Sequence, residues 1–321
     1  MPTAPPPVRP VTLDDVFSAR DRIAGVVTRT PLIRLLHGVD GVPEVWLKLE
    51  NLQPINAFKL RGAANAVALL PAAERSKGVW TISAGNAGQG VAYAARAAGI
   101  PCTVVVIETA PATKIERMGA LGARLVKASF DACWQAMEDR AFPGVEGTFV
   151  HPFDDHDFIA GNATVGLEIL DQLPSVRTVI AAIGGGGLTA GIGSAMRALA
   201  PQVRVLGAEP ETAAPGAASF AAGSPQVFTQ WQASFVDGAG GKSIFPRMWE
   251  RLKDTIDGSV VVTLDEVKSA MKLVASKARV IAEGAGALSV AAALKQSEGP
   301  IVAVVSGGNI DLAKFCELVN G

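Results

Sequence analysis

Short apolar runs alternate with alanine-rich stretches along most of this chain. The runs predicted as strands are Gly78–Ile82, Cys102–Ile107, Arg124–Lys127, Thr148–His151, Thr178–Ile183, Val203–Ala208 and Ile301–Val305. The stretches predicted as helices are Gly88–Ala98, Lys114–Leu121, Ile159–Gln172, Leu188–Leu199, Leu264–Glu283 and Ala285–Gln296. Because apolar strands separated by helices are typical of parallel sheets covered on both faces, the pattern predicts an α/β fold built on parallel sheets.

The length of 321 residues is enough for one large or two medium domains, each with its own core. Residues 76–152 carry a βαβαβ rhythm of their own. We therefore predict a small α/β domain over 76–152. The large domain is predicted to combine 1–75 with 153–321, so that the chain leaves it and later returns.

Charge and composition exclude several classes of function. The formal net charge is −1, which gives no basic surface for nucleic acid. The chain has no apolar run long enough to span a bilayer and no signal-peptide pattern at its start, so we expect a cytoplasmic protein without membrane contact. The three cysteines and three histidines are dispersed, and we predict no metal site.

A glycine-rich turn, Gly184–Gly187, follows one predicted strand and precedes a predicted helix. Backbone N–H groups at such a helix start form an anion site, which suits a phosphate. A dinucleotide site is a competing interpretation. Gly185, Gly187 and Ala190 satisfy the G-x-G-x-x-A pattern, and Glu209 ends the next strand at a suitable distance for a ribose contact.

Three other segments could complete a site with this turn. Lys59 lies between apolar neighbours in Ala57-Phe58-Lys59-Leu60, although a lone lysine is usually a surface residue. The turn Ser83–Gly90 again joins a strand to a helix and could hold a carboxylate. Ser306 follows a strand and could contact a ring nitrogen at the sheet edge. One lysine with several anion-binding turns suits an enzyme that holds a phosphorylated aldehyde as a Schiff base.

These motifs, in this order, resemble the fold type II pyridoxal-phosphate (PLP) enzymes, whose fold is like that of the tryptophan synthase β chain. The similarity is greatest to the serine/threonine dehydratase and serine racemase branch. It covers nearly the whole chain, and it demotes the dinucleotide interpretation. Further matching segments are Thr30-Pro31-Leu32, Lys48–Gln53, His151–Asp155, Ala160-Gly161, Gly166–Glu168, Ala208–Pro210 and Asp237-Gly238.

The resemblance implies a role for each matching residue. Lys59 would form the Schiff base with PLP and move the α-proton, and Phe58 would pack beside the cofactor. Asn86 would contact the 3-oxygen of the pyridine ring, and Ser306 the ring nitrogen. Gly184, Gly185, Gly186 and Gly187 would hold the phosphate. Ser83, Ala84, Gly85, Asn86 and Ala87 would receive the substrate carboxylate.

The implied activity is β-elimination from a β-hydroxy-L-amino acid, which yields a 2-oxo acid and ammonia. A serine hydroxyl does not keep a ring nitrogen protonated as a carboxylate would, so prompt loss of a β-leaving group is favoured over storing charge in the ring. Racemisation, β-replacement and a non-catalytic amino-acid-binding protein on the same fold stay open as alternatives. The resemblance also implies a homodimer.

The chain departs from the family at several positions. Ala84 stands where racemases of this group have a second acid/base serine, which disfavours racemisation because that reaction needs a proton donor on the opposite face. Pro215 replaces a carboxylate of a divalent-cation site that would include Glu209 and Ala213. Ala87 and Trp134 together suggest a bulky substrate such as phenylserine, unless Trp134 serves only in packing.

Overall fold

The computed structural model describes residues 7–110 and 112–320. Its internal contacts divide the chain into two compact units. The first unit comprises the chain up to Thr28 and Lys59–Asn162, and the second comprises Arg29–Phe58 and the chain from Ala163 onward. The predicted small domain, 76–152, lies wholly inside the first unit. That it forms a domain by itself stays a prediction.

Within the described residues of the first unit, four parallel strands form one sheet in the order β5-β4-β3-β6. The strands are β3 (Val79–Ile82), β4 (Cys102–Ile107), β5 (Arg124–Ala128) and β6 (Thr148–Phe149). The helices are α1 (Leu13–Ile23), α2 (Lys59–Ala68), α3 (Asn86–Ala98), α4 (Ala112–Ala120), α5 (Phe130–Asp139) and the start of α6 (His156–Gln172).

In the described part of the second unit, six strands form a sheet in the order β1-β2-β10-β7-β8-β9. The strands are β1 (Leu32–Leu35), β2 (Val45–Lys48), β7 (Thr178–Ala182), β8 (Arg204–Pro210), β9 (Ser259–Val262) and β10 (Ile301–Val304). The helices are α7 (Gly187–Leu199), α8 (Pro215–Ala222), α9 (Pro246–Thr255), α10 (Leu264–Ala278), α11 (Gly284–Ala293) and α12 (Leu312–Asn320). The strand β1 pairs antiparallel with β2, whereas the other strand pairs of this sheet are parallel, as predicted.

Each sheet is buried by its own helices. The core of the second unit contains Leu47 on β2, Ile180 on β7 and Leu288 on α11, all fully buried. In the first unit, Val104 on β4 packs with Val91 on α3 and Met118 on α4. The continuous apolar strands are therefore covered on both faces, as their sequence predicts.

Parallel strands place the turns of interest at one edge of each sheet. In the first unit, β3 ends at Ile82 and the turn Ser83–Gly85 leads directly into α3. In the second unit, β7 ends at Ala182 and β10 at Val304, so Gly184–Gly187 and Ser306 both follow carboxyl ends of neighbouring strands. The carboxyl edge is where ligands bind in α/β sheets.

Candidate active site

Lys59 is the first residue of α2, and its amine is buried. Its Nζ donates a hydrogen bond to the carbonyl oxygen of Pro152 at 2.6 Å. The same atom lies 5.5 Å from the centroid of the Phe158 ring. Burial of this amine lowers the pKa of Lys59 from 10.5 to about 8.

The lowered pKa changes what the lysine can do. At pH 7.5 about a quarter of amines with a pKa near 8 are uncharged, against roughly one in a thousand for an ordinary lysine. An uncharged amine can attack an aldehyde or accept a proton. The surroundings of Lys59 therefore suit a nucleophile and base, and the interpretation of Lys59 as a solvated surface lysine loses its support.

The helix after the Ser83 turn packs tightly against the backbone of Lys59. A Cβ atom added at Gly90 would lie 3.1 Å from the Lys59 carbonyl oxygen. One added at Gly88 would lie 2.5 Å from the Met118 sulfur and 2.7 Å from the Ser83 carbonyl oxygen. Gly90 therefore lets α3 approach the backbone of α2 closely, and Gly88 lets it approach α4 and the Ser83 carbonyl, all within the first unit.

The Ser83 turn leads into a helix start that has no side-chain cap from its N-cap residue. The hydroxyl of Ser83 accepts a hydrogen bond from the Gly85 N–H at 3.1 Å. Gly85 is the N-cap of α3 and supplies no side chain to the first amides of that helix, which starts at Asn86. Ala84, Gly85 and Asn86 are half-buried, whereas Ala87 is buried. A helix start of this kind attracts a carboxylate.

The turn Gly184–Gly187, in the second unit, leads into a second helix start that suits an anion. Gly186 is the N-cap of α7, has a φ of 85° and caps the helix with no side chain. A Cβ atom at Gly184 would lie 2.8 Å from the Gly238 carbonyl oxygen, and one at Gly186 would lie 2.9 Å from Leu252 Cδ1. Only glycine suits this cradle, and the start of the 13-residue helix α7 adds the positive end of its dipole.

The segment before Lys59 is pinned to the Ser306 turn within the second unit. The N–H of Phe58 donates to the Ser306 carbonyl oxygen at 3.0 Å, and the N–H of Gly308 donates to the Asn56 carbonyl oxygen at 2.9 Å. Ala57, fully buried, forms an antiparallel bridge with Gly307. Ser306 is 4% exposed, and its hydroxyl lies 3.4 Å from the Ala285 carbonyl oxygen. These contacts hold residues 56–58 beside the Ser306 turn.

Glu209 has a structural use that the dinucleotide interpretation did not foresee. Its carboxylate accepts N–H groups of Gly216 at 2.7 Å and Ala217 at 2.8 Å, and the Ser259 hydroxyl at 2.6 Å. Burial raises the pKa of Glu209 against these hydrogen bonds. The carboxylate thus caps α8, where Pro215 replaces the second carboxylate of the family's cation site. Over the described residues, no cluster of three potential metal ligands among His, Cys, Asp and Glu was found.

The partner of the Lys59 amine is a feature that the sequence did not reveal. Pro152 offers only a backbone carbonyl, and it lies in His151–Asp155, a segment that the family resemblance included without assigning it a role. The resemblance of that segment to the family was the sequence signal that could have pointed to Pro152.

None of the described helices is both long and apolar enough to cross a membrane.

Comparison with known proteins identifies the class to which this fold and these turns belong. The family model described as "Pyridoxal-phosphate dependent enzyme" matches residues 23–307. The chain is 39% identical to the L-threonine ammonia-lyase of Thermotoga maritima, over 97% of this chain and 78% of that protein. It is 37% identical to the catabolic L-threonine dehydratase of Staphylococcus aureus, over 96% of this chain and 92% of that protein.

A solved structure gives the same answer. The structure of maize serine racemase superposes with a TM-score of 0.88 at 33% identity, covering 96% of this chain and 97% of that one. The chain belongs to the pyridoxal-phosphate-dependent enzymes, and the predicted fold type II architecture and cofactor are confirmed. The predicted enzyme class, PLP-dependent ammonia-lyase, is that of the named relatives. The dinucleotide interpretation is thereby set aside.

Three features of the chain fit this cofactor: one glycine turn, one lysine and one serine. The turn Gly184–Gly187, whose glycines at 184 and 186 leave no room for side chains and lead into the start of α7, suits a phosphate ester. The amine of Lys59, with its lowered pKa, suits an aldehyde. The neutral hydroxyl of Ser306 suits a pyridine nitrogen.

Proposed function

We propose that this enzyme eliminates water from a β-hydroxy-L-amino acid to give an enamine, and that hydrolysis of the enamine takes up one water and yields a 2-oxo acid and ammonia. The observation that carries the proposal is the buried Lys59 amine, which donates to the Pro152 carbonyl and whose lowered pKa leaves about a quarter of it uncharged at pH 7.5. When bound, PLP withdraws electrons from the α-carbon of the substrate. The protein then has to bind the carboxylate, move one proton and let the β-hydroxyl leave.

Each residue of the candidate site has a distinct task in this proposal. Lys59 carries the cofactor and afterwards takes the α-proton on Nζ. The amides of Ser83–Ala87 bind the substrate carboxylate, and Asn86 also contacts the 3-oxygen of the cofactor. Gly184–Gly187 hold the phosphate, and Phe58 packs beside the ring. These assignments combine the family resemblance with the two helix starts whose N-cap glycines supply no side chain, and with the buried amine described above.

The identity of Ser306 favours elimination over reactions that need a long-lived carbanion. A buried, uncharged hydroxyl leaves the pKa of the pyridine nitrogen lower than a carboxylate partner would. Less negative charge can then rest in the ring, so prompt departure of the β-hydroxyl becomes the easier course. The L-threonine ammonia-lyase and dehydratase names of the relatives agree with this.

Racemisation is the second candidate, because a serine racemase has a very similar structure. Inverting the α-carbon requires a second proton donor on the face opposite the lysine. Ala84, which lies in the turn before α3, has no titratable group. We therefore expect the wild-type enzyme to convert L-serine to pyruvate and ammonia with little D-serine, and we expect Ala84→Ser to raise the D-serine yield. Chiral chromatography of the same reaction mixtures checks both statements.

The proposed function as a whole is tested by accounting for all products of L-threonine. The purified holoenzyme should release ammonia and 2-oxobutanoate in equal amounts, and the remaining threonine should keep its configuration. Substantial epimerised threonine without ammonia would assign the enzyme to racemisation. Consumption of threonine only when a second nucleophile is added would assign it to β-replacement.

We further propose that the substrate can carry an aromatic β-substituent, as phenylserine does. Helix α5 starts at Phe130, directly after β5, and therefore at the same sheet edge as Ser83 after β3. Two strand spacings of about 4.8 Å separate β5 from β3. Trp134 is 38% exposed, stacks on Phe130 with ring centroids 6.2 Å apart, and donates from Nε1 to Glu138. These two rings could contact a substrate ring.

The variant Trp134→Ala should reduce kcat/KM for phenylserine more than for threonine. Contact between aromatic rings contributes about 0.5–1.5 kcal/mol, which corresponds to a few-fold to roughly tenfold in specificity. Steady-state kinetics with both substrates measures the difference, and threonine serves as the internal control. Equal losses on both substrates, or a wild type inactive on phenylserine, would restrict the enzyme to small β-hydroxy amino acids.

The family resemblance also supports a cytoplasmic homodimer, which we propose as the working state. Sedimentation of the purified holoenzyme at several concentrations measures the assembly. A monomer with full activity would contradict the dimer without touching the proposed chemistry.

A further inference from the structure

We propose that His151 is a positioning residue for catalysis: its ring nitrogen Nδ1 shapes the turn that holds the Pro152 carbonyl against the Lys59 amine. The proposal rests on the proposed function, since it takes Lys59 as the residue that carries the cofactor and moves the α-proton. All of the atoms involved belong to the first unit.

The ring of His151 is buried and accepts two backbone hydrogen bonds. It is 2% exposed, and Nδ1 accepts the N–H of Asp154 at 2.9 Å and that of Phe153 at 3.3 Å. Two N–H groups directed at one nitrogen require a lone pair there, so the ring is the neutral tautomer with its proton on Nε2. Pro152 lies inside the loop that these hydrogen bonds close.

Two aromatic rings hold the imidazole in this orientation. The Phe149 ring packs edge to face against the imidazole, with ring centroids 5.6 Å apart, and the Phe153 ring does the same with ring centroids 4.5 Å apart. A ring fixed on both sides keeps Nδ1 directed at the backbone of the turn. The turn is therefore built around one acceptor atom.

The chain is anchored on either side of the turn by other groups. Before it, the Thr81 hydroxyl donates to the Val150 carbonyl oxygen at 2.8 Å. After it, Arg140 donates to the Asp154 carbonyl oxygen at 2.7 Å, and Asp155 Oδ1 accepts the Phe158 N–H at 2.8 Å. Between these anchors, the two hydrogen bonds to His151 close the loop around Pro152 and help to set its path.

The lysine end of the contact is equally fixed. Asn65 on α2 donates from Nδ2 to the Asp157 carbonyl oxygen at 2.7 Å. A Cβ atom at Gly62 would lie 2.3 Å from the Phe158 ring, so α2 lies directly on the start of α6. Since both helices are held, the distance from Lys59 Nζ to the Pro152 oxygen depends on the turn that His151 shapes.

This carbonyl has a task during turnover. When Lys59 takes the α-proton, Nζ becomes an ammonium group inside the protein, where charge is costly. A carbonyl oxygen at 2.6 Å stabilises that charge and orients the amine for the transfer. His151 should therefore affect kcat, which reports proton transfer, and leave KM nearly unchanged, because the carboxylate turn at Ser83 does not depend on it.

Two replacements of His151 separate the acceptor from the ring. The variant His151→Asn places Oδ1 where Nδ1 stood and keeps an acceptor, whereas His151→Leu keeps the volume and removes it. We expect kcat on L-threonine to fall about tenfold or more in His151→Leu, with KM within about threefold of wild type. In His151→Asn, kcat should stay within about threefold of wild type. His151→Gln, whose amide oxygen is one bond further away, replaces His151→Leu if that variant does not fold.

A second measurement does not depend on turnover. In the apoenzyme, competitive labelling of amines over a pH series, followed by peptide mapping, gives the apparent pKa of Lys59. Wild type and His151→Asn should titrate near the same value, about 8. In His151→Leu the loosened turn admits water to the amine, so the pKa should rise toward 10.5, the ordinary value.

Two results would overturn the positioning role. One is a folded His151→Leu enzyme with wild-type kcat and wild-type labelling of Lys59. The other is a His151→Asn enzyme that fails as badly as His151→Leu, which would assign the effect to the ring rather than to its acceptor atom. A wild-type enzyme that eliminates nothing would refute the proposed function, but the labelling comparison would still decide the role of His151.

Discussion

Replacing Lys59 with alanine should leave a folded protein that has lost nearly all turnover and the visible absorbance of a lysine-bound cofactor. General base catalysis alone contributes about 10²–10⁴ in rate, and the variant also loses the covalent attachment of PLP. Activity on L-threonine, the visible spectrum and the melting temperature measure the three effects. Because the side chain is only half-buried, truncating it should change stability little compared with activity.

Two further lysine variants separate chemistry from charge. Lys59→Arg keeps a positive, hydrogen-bonding side chain, but a guanidinium does not deprotonate, so this variant should be as inactive as Lys59→Ala. Lys77→Ala removes a lysine of the first unit whose side chain is 56% exposed and pairs with Glu74, and it should behave as wild type. Full activity and an intact spectrum in Lys59→Ala would remove the foundation of the proposed mechanism.

The second large effect is expected at the turn Gly184–Gly187, the proposed phosphate site. In Gly184→Ala the new methyl group would lie 2.8 Å from the Gly238 carbonyl oxygen, so the turn has to shift. A shifted turn no longer directs its amides at the phosphate, and we expect the dissociation constant of PLP for the apoenzyme to rise about tenfold or more, which corresponds to roughly 1.4 kcal/mol or more. Titration of the apoenzyme with PLP, followed by absorbance, measures the constant.

A matched glycine replacement controls for the general effect of an added methyl group. In Gly119→Ala, on α4, the new Cβ would meet Leu125 Cδ1 at 3.8 Å, an ordinary contact distance. This variant should bind PLP as wild type does. If Gly184→Ala folds and also binds PLP with unchanged affinity, the phosphate is held elsewhere.

The turns of the site could be predicted because they depend on local chain properties. Ser83–Gly85 joins β3 to α3 and Gly184–Gly187 joins β7 to α7, as their position between an apolar run and an alanine-rich stretch indicates. Ser306 follows β10, although that strand ends at Val304, one residue earlier than predicted. Glycines at such junctions indicate that the backbone comes close to another group, where the side chain of any other residue would obstruct the contact.

Several elements escaped prediction because tertiary contacts create them. The strand β2 ends in Lys48, a residue type that usually marks the surface. Here Lys48 is fully buried, and Nζ donates to the Thr30 carbonyl oxygen at 2.7 Å and to Gln172 Oε1 at 2.8 Å while it pairs with Glu168. Partners more than a hundred residues away stabilise this charge, and no local pattern shows them. The antiparallel strand β1 was not predicted either, because it is short and only partly buried, so its sequence lacks a continuous apolar run.

The environment of the Lys59 amine is likewise a product of the fold. Lys59 and Pro152 are 93 positions apart, and their contact uses a backbone carbonyl, which every residue possesses. The sequence predicted the role of Lys59 from its apolar neighbours and from the glycine-rich motifs that follow it. Its pKa near 8 comes from burial, and burial is known only once α2, α3 and the start of α6 are packed.

The central claim is that Lys59 carries the cofactor, and trapping tests it most directly. Borohydride reduction of the holoenzyme fixes PLP to the amine that holds it, and peptide mapping by mass spectrometry then locates the modified lysine. We predict one modified peptide, carrying PLP on Lys59, in an amount that matches the fraction of activity lost. Reduction that places the cofactor on another lysine, or that leaves Lys59 unmodified while activity disappears, would contradict the account.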